Sequence, residues 1–300
     1  MRKLVVILVS LLAAALLWDA AGAAETVRRG IELCLASVIP ALFPFFVVSS
    51  LLVSLGAGRA ARILERPFRA LFRCGGAGAA AFLLGMLGGY PVGAATVASL
   101  VRQGDVSPAE GRRLLAFCSN AGPSFIIGVA GLTVFGSART GAYLYLIHIT
   151  AAMAAGFLLR GRRAVTGGTT YHPPARPGLI SAFLSAVQGA ASAMGRVCAF
   201  VVFFLVFLSL TERLTGPLPP GAAGFLELTN GVLRLSPTRT GFITAAALLG
   251  WGGLSVHCQT ASVLDGTNVP LDRYFLGKAL QSLLSALLAA ALWHIIPPAA

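Results

Sequence analysis

The chain has 300 residues, of which 57% are hydrophobic and only 11% charged, whereas soluble domains carry about 25% charged side chains. So few charges cannot cover a water-soluble surface; with a mean hydropathy of +0.83, the composition excludes a soluble enzyme or binding domain and makes the bilayer the solvent. The net charge of +13 would suit nucleic acid, but the arginines fall between apolar runs, as they do in the cytoplasmic loops of membrane proteins.

Residues 1–25 combine Met1-Arg2-Lys3, an apolar stretch from Leu4 to Trp18 and the small residues Ala21-Gly22-Ala23. Such an order fits a signal peptide or an uncleaved first span, and Trp18 with Asp19 at an interface favours the span. Ile31 to Leu55 is long enough to cross, with bends expected at Pro40 and Pro44, which lack backbone donors. Arg59, Arg62, Arg66, Arg69 and Arg73 then recur every three or four residues. This spacing predicts a helix on the cytoplasmic surface, with Ile63, Leu64, Phe68, Leu71 and Phe72 turned to lipid.

Ala77 to Leu87 is apolar, yet at about 1.5 Å per residue it reaches only half-way across a bilayer. It meets Gly88-Gly89-Tyr90-Pro91-Val92-Gly93, after which a second half-length piece continues to about Val101. Two half-helices meeting at a Gly/Pro break are expected to be re-entrant; a kinked spanning helix is the alternative. Ser107-Pro108-Ala109-Glu110 reads as a helix start. Leu114 to Phe135 carries a second break, Ser119-Asn120-Ala121-Gly122-Pro123-Ser124, and Thr140 to Leu159 spans again. Arg160 to Gly178, with Arg160, Arg162, Arg163 and Arg176, reads as a cytoplasmic connector.

In the second half, Leu179 to Met194 and Val197 to Leu210 are apolar, and Phe225 to Gly231 sets Glu227 beside Thr229, Asn230 and Gly231. Thr240 to Leu254 breaks at Gly252-Gly253, a polar tract holds Ser255, His257, Gln259 and Thr260, and Phe275 to Ile296 closes the chain. Leu83 to Gly89 can be laid over Leu248 to Gly253, and Ala98-Ser99-Leu100 over Ala261-Ser262-Val263. With both arginine-rich loops inside, the two halves run in opposite senses. The predicted fold is therefore an all-α polytopic membrane protein with an inverted repeat and Gly/Pro-broken or re-entrant helices. Its parts are residues 1–25, a first repeat over 31–160, a cytoplasmic linker over 161–178 and a second repeat over 179–296.

Chemistry-bearing residues are sparse. Glu227 lies in an apolar stretch next to a break, where a carboxylate is costly enough to imply a role, although an ordinary helix-end charge near the outer surface is the plain alternative. His257 could relay protons or simply bond helix to helix. Cys34, Cys74, Cys118, Cys198 and Cys258 are scattered, and no metal spacing, paired carboxylates or Ser/His/Asp order appears. No cofactor, no metal and no enzyme activity is expected.

Five motifs in order, Leu42-Phe43-Pro44-Phe45-Phe46, Gly88 to Ala94, Asn120 to Gly128, Glu227 to Gly231 and Gly253 to Gln259, resemble the sporulation integral membrane protein YlbJ (SpoVV) family. That family belongs to a wider nucleoside-recognition Gate-domain group similar to concentrative nucleoside transporters. The resemblance runs from about Ile31 to Ile296 and implies a secondary transporter of a small aromatic anion, dipicolinate, across the outer forespore membrane of a sporulating cell. The substrate site it suggests comprises Gly88, Gly89, Tyr90, Pro91, Gly93, Ser119, Asn120, Gly122, Pro123, Glu227, Thr229, Asn230, Gly231, Ser255, His257 and Gln259. Half-helix N-termini and neutral amides would hold the carboxylates without a buried cation, and Tyr90 would stack on the ring. The implied partners are this anion, the lipid bilayer and a coupling proton or sodium ion; an oligomer is compatible. A nucleoside carrier, told apart by whether an intramembrane cation is needed, and a non-transporting spore-envelope assembly factor stay open.

Overall fold

A computed structural model describes residues 2–161 and 178–295, and every regular element among them is helical. Ala138–Leu158, Leu179–Thr215, Arg239–Leu264 and Asp272–Leu292 are each long and apolar enough to cross a bilayer, and two bent helix pairs bring the number to as many as six. The protein is thus an all-α, multi-pass membrane protein. Leu146, Ile180, Leu283 and Leu287 are exposed on its outside, as lipid-facing side chains must be. Arg162, Arg163, Arg176 and Ile296 lie outside the described residues.

Ala20 to Ser54 is helical throughout, but Cys34–Val38 widens into a π-turn just before Pro40. A proline ring collides with the carbonyl four residues back, and the wider turn makes room for it. The expected surface helix is instead three short pieces, Ala57–Ala60, a 3-10 turn Ala61–Leu64, and Glu65–Phe72, closed by Arg73 in the left-handed region at φ 55°. Phe72 does not face lipid. It is buried and stacks on Phe117 at 4.5 Å between centroids, while Phe68 packs against Phe72 and Phe82. The clamp from above explains the inward turn: Arg160 donates to the Ala70 carbonyl and Arg113 to that of Arg73. These contacts gather Arg73, Arg113 and Arg160 at one end of the molecule, the end that the arginine bias assigns to the cytoplasm.

Ala77–Gly88 and Val92–Arg102 fold back on each other. A Cβ added at Gly85 would stand 2.8 Å from the Gly93 Cα, whereas eight residues of continuous helix separate two Cα atoms by about 12 Å. The pair is therefore a helical hairpin and not a kinked span. A second, shorter hairpin, Pro220–Leu226 with Leu228–Leu233, brings a Cβ built on Gly231 to 2.1 Å from the Gly224 Cα. Arms this short leave no span-like signature in the sequence.

Each hairpin is followed by a broken span. Pro108–Cys118 gives way to an irregular stretch before the π-helical Ser124–Val134, and Arg239–Trp251 passes through Gly252 into Gly253–Leu264. Ser107 caps the first of these as its sequence suggests, its hydroxyl accepting from the Glu110 amide at 3.2 Å. The overlay of Leu83 to Gly89 on Leu248 to Gly253 joins unlike elements: the former is a hairpin arm, the latter part of a span that runs on through its break. The order hairpin, broken span, unbroken span nonetheless occurs twice, ending in Ala138–Leu158 and in Asp272–Leu292.

Candidate functional site

Both hairpin tips and both broken spans meet at a cavity of about 330 Å³. Gly88, Gly89 and Tyr90 come from the first tip, Ala121, Gly122 and Ser124 from the first break, Glu227, Leu228 and Thr229 from the second tip, and Val256 and Gln259 from the helix after the second break. Ser37, Leu42, Val197 and Val201 close the remaining side.

The tips approach backbone to backbone. Gly89 has φ 78° and ψ −173°, a region open essentially to glycine alone, and a Cβ there would meet the Gly122 nitrogen at 3.0 Å. Tyr90 wedges beneath the second broken span. Its hydroxyl donates to the Leu249 carbonyl at 3.0 Å, and a Cβ on Gly252 would stand 3.3 Å from its ring.

Behind Tyr90 lies a residue that the sequence reading passed over. Lys278, in the last span, is 0% exposed. Its Nζ donates to the Tyr90 hydroxyl at 2.6 Å, the Ser119 carbonyl at 3.0 Å and Gln281 Oε1 at 2.6 Å. The protons can be assigned in sequence. The Asn120 amide donates to the Phe117 carbonyl, so its oxygen faces Gln281 Nε2, and the Gln281 oxygen must then face lysine. Tyr90 spends its one proton on Leu249 and can only accept from lysine. Three acceptors with no proton to offer surround Nζ, an arrangement in which an ammonium would satisfy all three. His148, alongside, accepts the Ala121 amide at Nε2 and so carries no proton there. No Asp or Glu among the described residues pairs with Lys278. A lone lysine inside an apolar run was the signal available in the sequence.

Glu227 forms the opposite wall and is 3% exposed. Its carboxylate caps Leu228–Leu233, accepting from the Thr229 amide at 3.2 Å, the Asn230 amide at 2.8 Å and the Asn230 side chain at 3.2 Å. It is a helix-end charge, as the plain alternative had it, but a buried one that faces the cavity.

Of the sixteen expected site residues, Gly88, Gly89, Tyr90, Gly122, Glu227, Thr229 and Gln259 line the cavity. The others support it. Gly93 packs on the Cys118 carbonyl, Ser119 and Asn120 belong to the lysine network, and Gly231 closes the second hairpin. Asn230 binds Glu227, and Ser255 accepts from Gln259 Nε2 at 3.2 Å. Pro91 and Pro123 flank the first tip and the first break as helix N-caps. His257 stands away from the wall in an aromatic box, with Nδ1 2.8 Å from the Tyr274 hydroxyl and its ring edge-on to Trp251 at 4.3 Å. Among the described residues no cluster of three His, Cys, Asp or Glu could hold a metal.

No family model and no solved structure matches the chain. Among curated proteins it is 28% identical to the sporulation integral membrane protein YlbJ of Bacillus subtilis (strain 168), over 90% of this chain and 77% of the relative. The two chains are thus similar over most of their lengths. Coverage of this extent takes in both hairpins and both broken spans, so the cavity lies within the shared region and is no local addition.

Proposed function

We propose that this protein belongs with YlbJ and is a secondary carrier of a small aromatic anion, dipicolinate being the expected cargo, in the outer forespore membrane of a sporulating cell. The observation that carries the reading is the convergence of two re-entrant tips and two broken spans on one small cavity. Irregular backbone at membrane depth is tolerated only around a protein-lined or water-filled space, and paired interruptions of this kind mark transport sites. The volume suits a single-ring ligand at the small end of ligand pockets. The twofold order of hairpin, broken span and unbroken span supports two inverted halves that rock about the cavity.

Glu227 is the group that fits cation coupling. A proton or sodium ion bound there would neutralise the wall that otherwise repels an anion, and its release would return the carrier. The cationic Lys278 favours an anion over a nucleoside, which needs no such partner. Uptake of dipicolinate against uridine into proteoliposomes tests the reading: saturable, protein-dependent dipicolinate flux with little uridine flux is expected. Absence of dipicolinate flux in a well-inserted protein would refute it.

A further inference from the structure

We propose that Lys278 sets the sign of the charge that the cavity accepts and that it does so through Tyr90; this rests on the carrier reading above. Tyr90 is a party wall. One side lines the cavity, while its hydroxyl accepts from the lysine at 2.6 Å and its ring centroid lies 4.8 Å from Nζ. The hydrogen-bond partners of Nζ are neutral: a tyrosine hydroxyl, a backbone carbonyl and Gln281. A proton held there meets no opposite charge within its own network, and the Tyr90 hydroxyl is the group through which its field reaches the wall.

A purely mechanical strut among Tyr90, Ser119 and Gln281 would not need this charge. A neutral amide could bridge the same carbonyls without the cost of a cation at membrane depth. Glu227 faces the same cavity from the other hairpin, so its walls carry opposite signs. An anion lying against Tyr90 is drawn toward Lys278 and kept off Glu227, whereas a neutral ring gains nothing from the lysine. The class of ligand this favours is a planar aromatic mono- or dicarboxylate. Lys278 is thus a positioning residue for specificity and not part of the cavity surface.

The test compares dipicolinate with its neutral diamide, pyridine-2,6-dicarboxamide, in proteoliposomes and by ligand-induced shifts of the melting temperature in detergent. Lys278→Gln is expected to lower kcat/KM for dipicolinate about fiftyfold and that for the diamide far less. Lys278→Arg should restore much of the difference, and Tyr90→Phe, which keeps the ring and removes the acceptor, should give an intermediate preference. Equal losses for both probes in Lys278→Gln would make the lysine a strut and overturn the proposal, as would an unchanged preference for the diacid. If Lys278→Gln fails to insert, Tyr90→Phe decides, and an unaltered preference there overturns the proposal. Wild-type protein that neither binds nor moves dipicolinate would sink the carrier reading itself. Normal wild-type flux with unaltered charge preference in the variants would sink only the role of Lys278.

Discussion

The first hairpin has arms of 12 and 11 residues and a tip, Gly88 to Pro91, without a charged side chain; the second has arms of 7 and 6 residues and carries Glu227 at its turn. The second hairpin satisfies its charge locally, through amides two and three residues ahead. The first borrows its charge from Lys278, 188 positions away. A polar site can therefore be assembled from one element or from several, and the two kinds should fail differently when mutated.

The sharpest way to break the contrast is at the glycine tip. Gly89→Val would require a branched residue in a glycine-only region and a Cβ 3.0 Å from the Gly122 nitrogen, so transport should be lost outright while insertion persists. Uptake by a Gly89→Val protein shown to be inserted would remove the tip from the site. Next in size is Gln281→Leu. It strips the Lys278 ammonium of one acceptor and Asn120 Oδ1 of its donor, at a cost of about 1–3 kcal/mol. A clearly lowered melting temperature should register it.

Glu227→Gln sharpens the comparison from the other side. A carboxamide offers one acceptor oxygen where three N–H groups now find two, so a cap loss of about 1 kcal/mol is expected. Flux in this variant should lose its response to an imposed cation gradient, read from uptake with and without that gradient. A wild-type response would make Glu227 a cap and nothing more. The smallest effect belongs to Arg234→Ala, which removes the half-exposed pair with Glu212 near the second hairpin. Such pairs contribute about 0–1 kcal/mol, so melting and uptake should barely change.

The same contrast explains what the sequence could reveal. Composition and apolar run length make the membrane fold legible, and a Gly/Pro break in a half-length helix makes the first hairpin legible. Glu227 stood out because a carboxylate in an apolar stretch beside a break is costly. The second hairpin escaped notice because its arms are too short for a hydropathy signal. Lys278, although a lone lysine in an apolar run, escaped because two of its partners, Tyr90 and Ser119, come from distant elements that only folding brings to its helix. The surface helix failed for a related reason: its period showed one arginine face, but nothing local told Phe72 that Phe117 would receive it.

Leu179–Thr215 runs unbroken for 37 residues, about 55 Å of helix against a hydrocarbon layer of about 30 Å. Tilt alone cannot absorb the excess, because even an inclination of about 40° leaves on the order of ten residues outside. Its first turns, with Leu179, Ile180, Phe183 and Leu184 exposed, are poised to meet the headgroup region. Since Val197 and Val201 of this rod wall the cavity, a change in its inclination with bilayer thickness would alter the cavity's shape. If the protein is the proposed carrier, its uptake after reconstitution in short-chain and long-chain phosphatidylcholine should differ, and equal rates in both would show that neighbouring helices hold the rod at a fixed angle.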